Sequence, residues 1–113
     1  MWLLDVNLPT GLVGVLGSYG IACETTVGRG WRDLTNGMLV ATAFQAGFRV
    51  FLTRDRLFRE DASKSLRTSP EIAIVVVTLP QARAAPYLSA FTDRWRERSI
   101  QPEAGRVIEW PTM

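Results

Sequence analysis

The sequence predicts an α/β fold: a three-layer α/β/α sandwich around a mostly parallel sheet of about five strands. Short apolar runs alternate along the 113 residues with segments whose apolar residues recur at helical spacing. The run at 72–78 is dense in Ile and Val, which is typical of a strand covered on both faces. Strands that alternate with helices favour crossover connections. A chain of this length is expected to form a single domain over residues 1–113.

The first strand and helix occupy the start of the chain. Residues 2–5 are predicted to form a buried strand. The apolar residues that follow recur at helical spacing: Leu8, Leu12, Val15, Leu16 and Tyr19. Asn7 is a predicted N-cap and Pro9 suits a first turn, so this helix is expected to begin near Leu8. A second strand is predicted over 21–25.

A glycine-rich loop, a helix and a third strand make up the middle of the chain. The loop spans 27–33. Thr35 or Asn36 is predicted to cap the second helix, which is expected to end at Gly47. Residues 49–53 are predicted to form the third strand.

The remaining residues add two strands and a long helix. A short helical turn is expected around 56–61, and a polar surface loop over 62–70. After the strand at 72–78, residues 79–80 are predicted to open the long helix. Residues 107–110 are predicted to form a short last strand.

Composition limits the chemistry that this chain can perform. The sequence contains no histidine, so imidazole catalysis and His-ligated zinc sites are excluded. The net charge is +2 and 12 of the 13 basic residues are arginine, which permits binding to nucleic acid without requiring it. The single Cys23 cannot form an internal disulfide and is expected to pack as a small hydrophobe. No secretory signal or membrane-spanning run is evident, so a cytoplasmic protein is expected.

Two of the predicted strands run into an aspartate. Asp5 follows the first strand, and Asp55 follows the third. Functional groups gather at the carboxyl edge of an open parallel sheet, so neighbouring strands would bring these two carboxylates to one crevice. Each aspartate alone can equally be a helix cap or turn residue. Together they are the best indication of a functional site that the sequence offers.

The same residues carry a resemblance to a known family. The stretch LLDVNLP at 3–9 resembles the "LLDxNLP" opening of small PIN-like domains that are paired with antitoxins. The stretch RVFLTRD at 49–55, with Phe58, resembles their "RVLLTRDxDF" segment. The resemblance implies a PIN-like α/β/α sandwich and a ribonuclease that depends on Mg²⁺ or Mn²⁺. It also implies a bacterial toxin that is inhibited by a cognate antitoxin encoded beside it.

On this resemblance Asp5 and Asp55 are the expected catalytic residues and metal ligands. Asn36 is a third expected ligand, although the family usually has an acidic residue at that position. Leu57 likewise stands where the family often has a second aspartate. Three acidic residues are candidates to replace the missing charges: Asp33, Glu60 and Asp61.

Several polar residues are expected to support the site. Asn7 and Thr53 can offer neutral oxygens to a cation or hold waters. Arg54 can grip a phosphate or neutralise Asp55 in an ion pair, and the same alternatives apply to Arg56.

The glycine-rich loop is a candidate RNA-binding segment. Arg29, Trp31 and Arg32 combine a stacking surface with positive charge, as in single-strand binders. Packing of Trp31 under the loop is at least as good an interpretation. Arg56 completes the predicted RNA contacts.

Three functions remain open from the sequence. The first is a PIN-like, divalent-metal-dependent ribonuclease that acts as a toxin, with RNA as substrate and an antitoxin as partner. The second is a degenerate PIN-like domain that binds RNA or a protein without cleavage, as Asn36 and Leu57 suggest. The third is a phosphoacceptor receiver domain, with Thr78 at a strand end; it lacks the required lysine after the last strand. Trp110 is expected to close a sheet edge or to join a homodimer interface.

Overall fold

The computed structural model describes residues 1–56, 66–67 and 70–111. They contain a five-stranded sheet in which every neighbouring pair is parallel, in the order β2-β1-β3-β4-β5. The strands are β1 (Trp2–Leu4), β2 (Cys23–Thr25), β3 (Val50–Thr53), β4 (Ala73–Val77) and β5 (Val107–Trp110). The predicted α/β fold with a parallel sheet is confirmed, and the strand predictions differ only by one or two residues at their ends.

Helices cover both faces of this sheet. They are α1 (Leu12–Ser18), α2 (Asn36–Gln45) and α3 (Ala84–Glu97). Alternate residues of each strand point to opposite faces, so two hydrophobic cores form. One core joins α1 and α3 to Leu52 and Val75, and the other joins α2 to Phe51 and Ile74. The chain is therefore the three-layer α/β/α sandwich that the sequence predicts.

The positions of α1 and α3 give one connection an unusual hand. Both helices lie on the same face, although the chain moves from β1 to β2 toward one edge and from β4 to β5 toward the other. These two connections therefore have opposite hands. Parallel connections are almost always right-handed, and right-handed connections throughout would place α3 beside α2. The observed arrangement instead brings the amino end of α3 beside residues that follow β1 and β3.

Two predicted helix starts are wrong. Helix α1 begins at Leu12, not near Leu8, and Asn7 is not its cap because its side chain bonds to β3 and the residue after it. Helix α3 begins at Ala84 and not at residues 79–80. Pro86 fits the first turn of α3, where a missing N–H removes no intrahelical bond.

The predicted start of α2 is confirmed, and the helix ends at Gln45, two residues before the predicted Gly47. The Thr35 hydroxyl accepts a hydrogen bond from the Met38 N–H at 3.4 Å, which makes Thr35 the N-cap. Gly47 follows the helix with φ of +98°, a conformation that glycine adopts without steric cost.

Trp110 closes the sheet within the chain itself. The indole is buried, its ring centroid lies 4.8 Å from that of Phe91, and its N–H donates to the Arg98 carbonyl at 2.9 Å. This matches the first of the two roles predicted for Trp110. A homodimer stays a prediction.

The remaining expectations concern Cys23, the segment at 56–70 and membrane-spanning helices. Cys23 packs at the margin of the core, as predicted, and burial raises the pKa of its thiol to about 11. Most of the turn predicted at 56–61 and of the loop predicted at 62–70 lies outside the described residues. In the described part of the chain, no helix combines the length and apolar character needed to span a membrane.

Candidate functional site

The candidate site lies where the strand order reverses. Strand β1 pairs with β2 on one side and with β3 on the other, and ligands of open α/β sheets bind at such a switch point. The register pairs Leu4 with Leu52, and the Asp5 N–H donates to the Leu52 carbonyl at 2.9 Å. Asp5 and Asp55 therefore follow adjacent strands at one edge, as the sequence predicts.

The Thr53 hydroxyl is the centre of a hydrogen-bond network at this edge. Thr53 is completely buried, and its hydroxyl donates to Asp5 Oδ2 at 2.6 Å. The same oxygen accepts from the Asp55 N–H at 3.0 Å and from Asn7 Nδ2 at 3.3 Å. A hydroxyl has one donor and two acceptor positions, so this network uses all three. Thr53 thus connects the two strand ends.

Hydrogen bonds to both oxygens of the Asp5 carboxylate fix its orientation. Oδ1 accepts from the Val6 N–H at 2.8 Å, while Oδ2 accepts the Thr53 hydroxyl. A carboxylate has about four lone-pair positions, so about two remain for a cation or for water. The side chain is half-buried, which leaves it accessible from the edge of the sheet.

Asp55 lies two residues beyond Thr53 and is half-buried. Its N–H donates to the Thr53 hydroxyl, and the residue has a further interaction of its own. Because side chains alternate along a strand, Thr53 projects toward the α2 side of the sheet, and Asp5, which accepts the Thr53 hydroxyl, lies on the same side.

Asn7 ties the loop after β1 to the chain after β3. Its Oδ1 accepts the Arg54 N–H at 3.0 Å, in addition to the bond from its Nδ2 to Thr53. Arg54 projects to the other face of the sheet, where its guanidinium carbon lies 5.5 Å from the ring centroid of Tyr87. Asn7 and Thr53 therefore act first as positioning residues, and Arg54 faces away from Asp5.

Asn36 is not among the described hydrogen-bond partners of Asp5 and Thr53. Asn36 is the first residue of α2 and is half-buried, and it takes part in an interaction of its own. It lies at the amino end of α2. This helix follows the carboxyl end of β2 and covers the face of the sheet toward which Asp5 projects. Asp33 is exposed in the preceding loop.

Among the described residues, the acidic set at this edge is small. Leu57, Glu60 and Asp61 fall outside the described residues. Within 1–56, 66–67 and 70–111, the structure contains no group of three or more Asp, Glu, His or Cys side chains placed to hold a metal. Two carboxylates with neutral oxygens nearby still fit Mg²⁺, which commonly retains several waters. The donor set suits one hard cation better than two.

The predicted RNA-binding residues lie in different surroundings. Trp31 is half-buried and packs edge-on against Phe48 with ring centroids 5.9 Å apart. Arg29 pairs with Glu24 at 2.7 Å and lies over the Trp31 ring. The loop thus uses Trp31 for packing, in agreement with the alternative interpretation of that residue.

The two other predicted RNA contacts are exposed. Arg32 lies on the surface of the loop, and Arg56 lies just beyond the site. Arg56 lines a depression of about 880 Å³ at the carboxyl ends of β4 and β5, which Arg94 and Arg98 also line. RNA binding by Arg29, Trp31, Arg32 and Arg56 stays a prediction.

Tyr87 is a residue of this region that the sequence gives little reason to select. Its spacing of four from Phe91 on α3 is typical of a core stripe, and both side chains are buried. The available signal is the hydroxyl itself, because a tyrosine in such a stripe needs a hydrogen-bond partner that phenylalanine does not.

The network makes a specific prediction for Thr53. We expect Thr53→Val to lower the free energy of unfolding by about 2 kcal/mol, since it removes three hydrogen bonds and keeps the volume. Thr53→Ser keeps the hydroxyl and should cost about 1 kcal/mol for the lost methyl group. Amide hydrogen exchange distinguishes the two causes: the Asp55 N–H should exchange much faster in the valine variant alone. Slow exchange at Asp55 in Thr53→Val would contradict the network.

Comparison with protein-family models, with curated proteins and with solved structures found no match to this chain.

Proposed function

We propose that this protein is a divalent-metal-dependent ribonuclease of the PIN-like class, acting as the toxin of a toxin–antitoxin pair. The observation that carries the proposal is the placement of Asp5 and Asp55 after adjacent parallel strands, with the Thr53 hydroxyl bonded to both residues. The resemblance of the stretches at 3–9 and 49–55 to PIN-like sequences supports the same function.

Each residue then has a defined role. Asp5 and Asp55 would hold Mg²⁺ or Mn²⁺, which polarises a phosphate and activates a bound water. Thr53 and Asn7 keep the strand ends in register, and the Val6 N–H fixes the rotation of the Asp5 carboxylate. Such preorganisation matters because displacing a catalytic group by about 1 Å can lower the reaction rate about a hundredfold.

Cleavage assays with defined metals test the proposal. Purified protein is incubated with a mixture of single-stranded and hairpin RNAs in Mg²⁺, in Mn²⁺ or in EDTA. We expect cleavage with metal and none in EDTA, and growth inhibition on expression that a neighbouring gene product relieves. RNA that stays intact with both metals would contradict the enzyme assignment.

One observation favours the alternative, a degenerate PIN-like domain that binds RNA or a protein without cleavage. The described residues offer two carboxylates and no larger acidic group, and Asn36 stands at the position where the family has an acid. Calorimetric titration with Mn²⁺ separates the two functions. Binding that requires both Asp5 and Asp55 supports the nuclease, whereas no binding at millimolar Mn²⁺ supports the degenerate domain.

The receiver-domain alternative has less support. The strand order is shared with that class, but the β4–β5 connection has the opposite hand to the β1–β2 connection. The Thr78 hydroxyl donates to the Pro111 carbonyl at 2.7 Å and is thus already engaged. Pro111 follows β5 where a receiver has its lysine. A small phosphodonor should therefore fail to label Asp55.

A further inference from the structure

A second pocket lies beyond the carboxyl ends of β1 and β3, on the face of the sheet that α1 and α3 cover. It has a volume of about 270 Å³ and is lined by Asn7, Arg54, Ala84 and Tyr87, among others. A water in the liquid occupies about 30 Å³, so the pocket has room for several waters or for one phosphate group. Asn7 belongs both to this pocket and to the network around Asp5.

Two buried donors of this pocket have no acceptor in the described part of the chain. Tyr87 is 1% exposed, and its hydroxyl makes no hydrogen bond there. The Nε of Arg54 is also buried and without a partner among those residues. Buried polar atoms are nearly always paired, so two unpaired donors in one pocket indicate a missing acceptor.

The hydroxyl of Tyr87 is a donor at neutral pH. Burial raises the pKa of Tyr87 to about 12, while the positive charge of Arg54 acts in the opposite direction. The phenol therefore keeps its proton, and together with the guanidinium it presents donors and positive charge but no negative group. An anion with several acceptor oxygens matches this chemistry.

The amino end of α3 adds further donors. Ala84 begins the helix and lines the pocket, and Arg83 at the N-cap makes no side-chain capping bond. The Tyr87 N–H is bonded to the Arg83 carbonyl at 3.0 Å, while helix geometry leaves the N–H groups of Ala84 and Ala85 without intrahelical acceptors. Helix amino ends favour phosphate through these groups and through the helix dipole.

We infer that Arg54, Tyr87 and the amino end of α3 form a binding site for a phosphate group. Resting on the proposed function, we assign this phosphate to the RNA strand, at a nucleotide adjacent to the one bound near Asp5. The site would hold the strand in place across the sheet edge, and it needs no metal.

The two tyrosines of the chain allow a direct test. With ¹³C-labelled tyrosine, inorganic phosphate is titrated at constant ionic strength in EDTA, with chloride as the matched anion. We expect the ring signal of Tyr87 to shift with phosphate but not with chloride. Tyr19 should not respond, because it stacks on Trp95. That residue is close to Trp2 at the amino end of β1, whereas the pocket lies beyond the carboxyl end of that strand. An unchanged Tyr87 signal at tens of millimolar phosphate would overturn the site.

Variants separate binding from folding. Tyr87→Phe keeps the packing, so we expect it to fold, to gain in Tm in phosphate-free buffer, and to bind phosphate at least about fivefold more weakly. Arg54→Gln should weaken binding further. The controls Tyr19→Phe and Arg106→Gln make the same two changes at a tyrosine and an arginine that are exposed elsewhere on the protein, and they should bind as the parent does. Unchanged phosphate affinity in both Tyr87→Phe and Arg54→Gln would overturn the assignment.

A short RNA in EDTA distinguishes the RNA strand from free phosphate as the natural source. RNA should shift the same Tyr87 signal and compete with inorganic phosphate. Phosphate binding without such competition would overturn the assignment to RNA. Because these measurements need no cleavage, an inactive protein that still binds phosphate and RNA here would contradict the nuclease proposal alone.

Discussion

Asp5→Asn is expected to reduce metal-dependent RNA cleavage at least about a hundredfold and to weaken Mn²⁺ binding at least about tenfold. Asparagine keeps the size of the side chain and its oxygen can still accept the Thr53 hydroxyl. It loses the charge, and it loses the acceptor for the Val6 N–H if its oxygen faces Thr53. Stability should therefore change by only about 1 kcal/mol, because the side chain is half-buried and water can replace one bond.

Asp93→Asn is the matched control for this change. Asp93 is exposed on α3, so its substitution removes the same charge far from the network. Parallel purification of the two variants also measures any contaminating nuclease. Equal cleavage and equal Mn²⁺ affinity in Asp5→Asn and in the parent would contradict the role of Asp5 as a metal ligand and catalytic residue. Loss of cleavage in Asp93→Asn as well would point to a general effect of net charge.

Much of the fold follows from patterns that the sequence displays directly. The Ile/Val run forms β4, an interior strand that is fully buried because both of its faces are covered. Thr35 caps α2 through a local hydrogen bond. The start of α1 was harder to predict. Asn7 is of a residue type that commonly caps helices, yet its side chain bonds to Thr53, 46 residues away in the chain. A long-range partner of this kind leaves no trace in local propensity.

The candidate site shows the same division between local and long-range information. The placement of Asp5 and Asp55 after neighbouring strands was predictable, since it needs only two strand ends and a parallel sheet. The side of the sheet that α3 covers was not, because the expected right-handed connection would have placed Tyr87 on the opposite face. The pocket that Arg54 and Tyr87 line therefore depends on topology that no local pattern encodes.

Asn36→Asp should increase Mn²⁺ affinity about a hundredfold and raise the number of bound ions from one to two. A carboxylate about 8 Å from a divalent ion contributes ~4 kcal/mol at an effective dielectric of about 20, and screening removes part of this. The new charge lies at the amino end of α2, where the helix dipole also favours an acid by about 0.3–1 kcal/mol. Calorimetric titration gives both the affinity and the stoichiometry, and cleavage should rise in parallel.

Gln45→Glu provides the control, since it adds the same charge at the exposed carboxyl end of the same helix. Both variants change the net charge from +2 to +1, so a difference between them reports position and not total charge. Higher Mn²⁺ affinity in Asn36→Asp alone places the end of α2 within the electrostatic reach of the aspartate pair. Equal affinity in both variants would show that residue 36 lies too far from that pair to act as a ligand, and Asp5 and Asp55 would then have to bind the ion without it.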